Sequence, residues 1–163
     1  MNRSFKENEM SVIIAAFVLG VVCGLRTMIG LAAASWGASR QQIPLDGTWL
    51  AFFGFRFTPY ITSLLAIGEA INDKLPKTPS RLVPPQFIGR LVMGALTGSA
   101  IGLSQQHLVI GALSGFVGSV VGTLGGSKAR AFAAQLFGRD LPAALLEDFI
   151  AVALAVIAIV TLR

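Results

Sequence analysis

GLRTMIGLAAASW (residues 24–36) is the stretch that decides the fold, because it places Arg26 inside an otherwise apolar segment. The fifteen residues from 11 to 25 carry no charge, whereas a helix needs about 20 residues to cross a bilayer. We therefore expect Arg26 to lie within a membrane span. On insertion scales a mid-span arginine costs about 2.5 to 3.5 kcal/mol, and it usually faces the protein interior, a carboxylate or a water-filled path.

The composition of the chain is typical of a membrane protein. Of its 163 residues, 54% are hydrophobic and only 13% are charged, so residues 1–163 are treated as one integral membrane domain. The net charge of +5 indicates cytoplasmic loops and contact with membrane lipids rather than nucleic-acid binding. Cys23 and His107 are the only residues of their kinds and match no metal-ligand spacing, so no metal or other cofactor is predicted.

Segment lengths predict an all-α membrane protein with about five transmembrane helices. These segments cover residues 11–36, 49–71, 87–103, 108–127 and 141–162. Residues 73–90 contain four basic residues against one acidic residue, and residues 125–140 contain three against one. Because short positive loops stay in the cytoplasm, both loops are predicted to be cytoplasmic.

The first segment has two alternative structures. A glycine lies on either side of Arg26, so the helix is either broken there, as transporter helices are at binding sites, or continuous with Arg26 paired to a carboxylate. The candidate carboxylates are Glu69 and the adjacent residues Glu147 and Asp148.

Two pairs of sequence blocks in the two halves of the chain are alike: FVLGVVCG (17–24) with FVGSVVGT (116–123), and GLAAASWG (30–37) with AFAAQLFG (131–138). Their alignment brings Arg26 beside Lys128. If the likeness is a true repeat, segments one and two and segments four and five form inverted-topology repeats joined by the central helix, with a site near their interface. The alternative is that helices rich in Ala, Gly and Val resemble one another by composition alone.

Four motifs, in chain order, carry a family resemblance: GLRTMIGLAAASW, DKLPKTPSR, GGSKAR and LLED. Together they resemble an uncharacterised family of small bacterial integral membrane proteins, classed as a domain of unknown function. The resemblance covers most of the chain and implies location in the bacterial inner membrane. It implies no activity, substrate or catalytic residue.

Intramembrane ionisable residues point first to a transporter or channel for a small solute. An anion is favoured because arginine suits carboxylate and phosphate groups. The candidate substrate-binding residues are Arg26, Thr27, Glu69, Lys128, Glu147 and Asp148.

The alternative function is a non-transporting scaffold or lipid-binding assembly subunit, in which the same charges only pair with each other. An enzyme is not expected, because no spacing of a nucleophile and a base is visible. Glycines at four-residue spacing in the third and fourth segments predict a homodimer, since small residues let membrane helices approach closely.

Overall fold

A computed structural model describes residues 2–74 and 81–162, with side chains described from Met10 onward. The regular structure of this part of the chain is helical: α1 (Asn2–Leu25), α2 (Thr27–Ser39), a short 3-10 helix (Ala51–Gly54), α3 (Thr58–Asn72), α4 (Pro84–Ser104), α5 (Leu108–Phe137) and α6 (Asp140–Val160). The prediction of an all-α protein is confirmed.

The first predicted segment is interrupted at Arg26, which has extended backbone angles (φ −143°, ψ 104°). The chain also turns sharply here. A Cβ added to Gly30 would lie 3.3 Å from the backbone nitrogen of Cys23, although residues seven apart in a straight helix are separated by about 10 Å along the axis. The broken helix is therefore the correct alternative, and the break is also a bend.

Helix α1 lies parallel to α5. A Cβ at Gly20 would overlap the backbone of Gly115, and one at Gly24 would meet the carbonyl of Ser119, so residue numbers rise together along the two helices. Helix α6 begins three residues after α5 ends and packs back along it. Hence α1 and α6 run in opposite directions.

Helix α2 lies parallel to α6. Arg26, just before α2, contacts Asp148 in the first half of α6. Gly37, near the end of α2, lies against Ile159, near the end of α6. Helix α2 therefore runs opposite to α1. The prediction that residues 11–36 form one span is wrong: the chain turns back at Arg26, and the apolar run supplies two shorter helices.

The closest helix contacts are made by glycines of α1, α4 and α5. A Cβ at Gly98 would overlap the carbonyl of Gly111, and a Cβ at Gly111 would overlap the carbonyl of Gly98. These glycine faces, on which the homodimer prediction rested, are therefore used inside one protomer. The homodimer stays a prediction without that support.

Three helices of the described chain, α4, α5 and α6, are long and apolar enough to cross a membrane, which is fewer than the five expected. They correspond to the third, fourth and fifth predicted segments. The apolar part of α1, Met10–Leu25, is shorter than the others, and α3 has 15 residues. Many large apolar side chains on α3, α5 and α6 are exposed, as lipid-facing residues are in a membrane protein.

The predicted cytoplasmic loop at residues 125–140 is mostly helical. Helix α5 continues to Phe137 and ends at Gly138, whose left-handed conformation (φ 67°) terminates the helix. The basic residues of this stretch are compatible with a helix that extends past the apolar span, so their charge indicated a membrane boundary but not a loop.

The predicted inverted repeat does not agree with the helix directions. Residues 17–24 and 116–123 lie in α1 and α5, which run parallel, so no inversion relates them. In the first half, the chain turns back at Arg26, between blocks 17–24 and 30–37. In the second half, α5 continues without a break between blocks 116–123 and 131–138. The structure therefore gives no support to an inverted repeat.

Candidate functional site

Side chains from other helices satisfy both helix ends at the break. The Glu69 carboxylate accepts hydrogen bonds from the backbone N–H groups of Thr27 (3.0 Å) and Met28 (2.7 Å) at the start of α2. Arg90 Nη1 donates to the carbonyls of the last two residues of α1, at 3.1 and 3.0 Å. An anion at a helix N-terminus and a cation at a C-terminus are the charges that the helix dipole favours. The break is thus stabilised on both sides.

Arg26 is fully buried and contacts three carboxylates. Its Nη1 lies 2.5 Å from Asp73 Oδ2, its Nε lies 2.6 Å from Asp148 Oδ1, and its Nη2 lies 3.8 Å from Glu147 Oε2. Among the described residues, these pairs belong to an ion network of four basic and four acidic residues: Arg26, Lys74, Arg81 and Arg130 with Asp73, Asp140, Glu147 and Asp148. The formal charges of these eight residues balance.

The network joins distant parts of the fold. Arg81, before α4, makes a two-pronged pair with Glu147 of α6, at 2.5 and 2.8 Å, a geometry that is among the stronger ion pairs. Arg130 of α5 pairs with Asp73, just after α3, and with Asp140 at 2.7 and 3.0 Å. The ion pairs therefore connect α3, α5 and α6 to the helix break at Arg26, at one end of the bundle.

The contacts of Arg26 are close but incompletely hydrogen-bonded. Its Nε and Asp148 Oδ1 are 2.6 Å apart, yet neither atom has a hydrogen bond of acceptable angle. Arg26 Nη2 also has no hydrogen-bond partner in the described chain. We treat the Asp148 contact as an ion pair because Coulomb attraction depends on separation rather than on angle. Charge attraction, more than hydrogen bonding, holds Arg26.

Five of the six predicted site residues meet at the break or in the ion network: Arg26, Thr27, Glu69, Glu147 and Asp148. The expectation that Arg26 is buried against a carboxylate is met by Asp73, Glu147 and Asp148, while Glu69 caps α2 instead. Lys128 is exposed and makes no ion pair with the described residues. It was included through the repeat alignment, which the helix directions do not support.

Sequence reasoning missed several charged residues of the site: Asp73, Lys74, Arg81, Arg90 and Arg130. The basic ones were interpreted only as topology signals. A usable signal was the four-residue spacing of Glu69 and Asp73, which places both on one face at the end of α3. Lys77, counted in the same basic loop, lies outside the described residues.

A cavity of about 510 Å³ lies beside the break, between α2, α3 and α4. Its polar lining residues are Thr27, Glu69, Asn72, Gln86 and Arg90, and the other lining residues are apolar. A smaller cavity of about 300 Å³ between α1, α5 and α6 is nearly all apolar and reaches Arg130 and Glu147 of the network. The first cavity therefore combines a helix N-terminus, a carboxylate and a guanidinium.

Asp73 gives the network a pH dependence. Burial alone would raise the pKa of its carboxyl, but the charges and hydrogen bonds of Arg26 and Arg130 outweigh burial and lower the pKa below its ordinary value. Because the pKa is lowered on folding, the stabilisation is present above the ordinary carboxyl pKa and is lost as the pH falls through the lowered one.

We expect Asp73→Asn to lower the free energy of unfolding by about 1.5 to 3 kcal/mol near neutral pH, because charged hydrogen bonds are lost. The difference from wild type should shrink as the pH falls through the lowered pKa. Unfolding in mixed detergent micelles at several pH values measures it, with Asp46→Asn as control because Asp46 is exposed. A difference that stays constant into the acid range would contradict this role of Asp73.

Comparisons with known proteins give no relative. Neither the family models, nor the curated proteins, nor the solved structures contain a match to this chain. The fold and the site thus define a helical membrane protein with a broken helix and a buried ion network, and the family resemblance of its motifs stays a prediction.

Proposed function

We propose that this chain is a small inner-membrane transporter of bacteria that carries a small anionic solute. One observation carries the proposal: the helix broken at Arg26 has its ends beside a cavity that Glu69 and Arg90 line. Broken helices in membrane proteins occur where backbone lines a cavity, and transporters use their ends to hold substrates and ions.

The proposed membrane position includes the three shorter helices α1, α2 and α3 in addition to the three long ones, which gives six membrane-embedded helices instead of five. From residue 91 to the end of α4 there are 14 uncharged residues, or about 21 Å of helix, against a hydrocarbon core of about 30 Å. The ion network then lies near one membrane surface. Its end of the bundle carries the basic residues Lys74, Arg81, Lys128 and Arg139 and is assigned to the cytoplasm.

In the proposed mechanism, the ion network closes the cytoplasmic end. Helix α3 is fastened there through Asp73 and Lys74, whereas its packing contacts within the described chain are mainly with α2 and the 3-10 helix. Separation of these ion pairs would let α3 move and open the cavity beside the break. Arginines of the network would then face the solute on its path, which suits an anion.

The scaffold function remains the second candidate, because Arg26 is fully buried and the charges of its network balance. In a scaffold the network would only fasten the helices, and no solute would cross. Lipid binding at the apolar cavity of about 300 Å³ is compatible with this alternative.

Flux into proteoliposomes distinguishes the two functions. We expect wild type to take up at least one of radiolabelled benzoate, acetate, lactate and phosphate faster than protein-free liposomes. Gly68→Leu should abolish this uptake. Gly68 lines the cavity beside the break, and no atom of the described chain lies within 4 Å of a Cβ added there, so the leucine side chain has room to fill the cavity. Gly125→Leu is the matched control, since it also meets open space but lies at the other cavity.

Uptake no faster than in protein-free liposomes, for all four anions and with correctly folded wild type, would refute transport of a small anion and leave the scaffold function.

A further inference from the structure

A separate cavity of about 450 Å³ lies on another side of α3, between α2, α3 and α6. Most of its lining is apolar, and α2 lines it from Ile29 to Arg40, a rise of about 16 Å along the helix. Its lining also includes large apolar side chains that are exposed on the outside of the bundle: Ile67, Val152, Val156 and Val160. The cavity therefore opens sideways, toward the lipid that surrounds membrane helices.

Polar groups gather at the end of this cavity where α2 ends. Arg40, Gln42, Trp36 and Ser63 are its polar lining residues. The Arg40 guanidinium lies 5.0 Å from the centroid of the Trp36 ring, which is a cation–π contact. Trp36 is held in turn by a hydrogen bond from its Nε1 to Ser63 Oγ (3.1 Å) and by edge-to-face contact with Tyr60 (5.3 Å between ring centroids). These contacts place a guanidinium at the mouth of an apolar cavity.

Arg40 has no acidic partner among the described side chains. It is exposed, and its printed contact is the aromatic one with Trp36. Of the charged side chains described at this end of the bundle, Arg40 and Arg56 are basic, whereas Asp46 is acidic. The charge at the mouth of the cavity is therefore complementary to an anion, and a guanidinium suits a phosphate group in particular.

The polar end of the cavity lies at the membrane surface opposite the ion network. Helix α2 runs 13 residues from the break to Ser39, which is about 20 Å. Exposed aromatic side chains lie at this end: Trp49, Phe55, Phe57 and Tyr60. Because such an aromatic belt marks the headgroup level, the apolar remainder of the cavity extends into the hydrocarbon. A phospholipid has the same arrangement, with a phosphate at the headgroup level and acyl chains below it.

We infer that this cavity binds one anionic phospholipid, with an acyl chain between α3 and α6 and the headgroup phosphate on Arg40. The amide N–H groups of Gln42 supply further hydrogen-bond donors at the same end. A lipid of net negative charge neutralises Arg40, whereas a zwitterionic lipid brings a cationic group of its own to a basic surface. The site is separate from the cavity beside the break, so it does not depend on transport.

Native mass spectrometry of the full chain in detergent tests the inference, with phosphatidylglycerol and phosphatidylcholine of identical acyl chains as probes. We expect one phosphatidylglycerol to bind each wild-type protomer about fivefold more tightly than phosphatidylcholine, because one arginine near an anionic lipid contributes about 1 kcal/mol. Arg40→Gln should remove this preference. Arg56→Gln is the matched control, since Arg56 also lies over an aromatic ring, that of Phe57 (5.7 Å), but is outside the cavity lining.

Ala66→Phe tests the position of the acyl chain, because Ala66 lines the cavity on α3. It should weaken the binding of both lipids, whereas Ala133→Phe, at the cavity between α1, α5 and α6, should not. The inference is overturned if wild type binds neither lipid or binds both equally, if Arg40→Gln keeps the preference, or if Arg56→Gln loses it as well. Unchanged lipid binding by Ala66→Phe, or equal weakening by Ala133→Phe, would also overturn it.

A second copy of the chain is the other occupant that the same spectra detect. A lipid-free dimer of wild type that Ala66→Phe converts to a monomer would overturn the inference, because a protomer would then occupy the cavity in place of the lipid.

Discussion

Arg26→Met is expected to lower the free energy of unfolding by about 3 to 5 kcal/mol, because removing one partner of a buried ion network leaves the others uncompensated. Arg26 is the fully buried member and contacts Asp73, Glu147 and Asp148. Unfolding in mixed detergent micelles, followed by circular dichroism, measures the loss. Lys128→Met is the matched control, since Lys128 is an exposed cation on α5 and its removal should change the free energy by about 0.5 kcal/mol or less.

The double variant Arg26→Met with Asp148→Asn tests whether charge balance is the cause. Asp148 is the best partner to remove, because its other ion-pair partner, Lys74, is 22% exposed and can reach water. We expect the double variant to be more stable than the sum of the single losses predicts, by about 1 to 3 kcal/mol. Additive losses, or a single Arg26→Met variant as stable as wild type, would show that the network does not hold the break.

Gly98→Leu is expected to have the second large effect on the free energy of unfolding. A Cβ there would overlap the carbonyl oxygen of Gly111 and would lie 2.9 Å from the Cα of Gly115. The obstructing atoms belong to the backbone and cannot rotate away. The loss in free energy of unfolding should therefore reach or exceed the upper part of the usual overpacking range of about 1 to 3 kcal/mol. The same unfolding assay measures it.

Gly125→Leu again serves as control, because no atom of the described residues lies within 4 Å of a Cβ added at Gly125. Mass measured by light scattering separates an internal effect from an effect on association. If Gly98→Leu unfolds like wild type and changes only the oligomeric mass, then the glycines of α4 and α5 form a contact between protomers, contrary to the fold described above.

The long helices could be located from the sequence because they contain long, mainly apolar stretches. The observed ends of helices α4, α5 and α6 agree with the predicted segments to within a few residues, except for the end of α5. The connection between α4 and α5 falls between the predicted segments 87–103 and 108–127. The extension of α5 was missed. Its basic residues were interpreted as a loop, although Arg130 lies inside the helix and belongs to the ion network.

The reversal at Arg26 could not be predicted from segment length, since residues 11–36 suffice for one span. Glu69 and Arg90 cap the two helix ends and so permit two short helices. They lie 43 and 64 positions after Arg26 in the sequence. Contacts between residues so far apart leave no local pattern in the sequence from which the reversal could be predicted. Burial of Arg26 was predictable, by contrast, because a charge facing lipid is too costly whichever partner it finds.

The reversal at Arg26 is the central claim, and side-specific cysteine labelling tests it most directly. Single cysteines replace Met10, Gln42 and Gln135 in a Cys23→Ala background, and a membrane-impermeant maleimide is applied to intact and to inverted vesicles. Because α1 and α2 run in opposite directions, Met10 and Gln42 should be labelled from the same side and Gln135 from the opposite side. Labelling of Met10 and Gln42 from opposite sides would contradict the reversal, because residues 11–36 would then cross the membrane once.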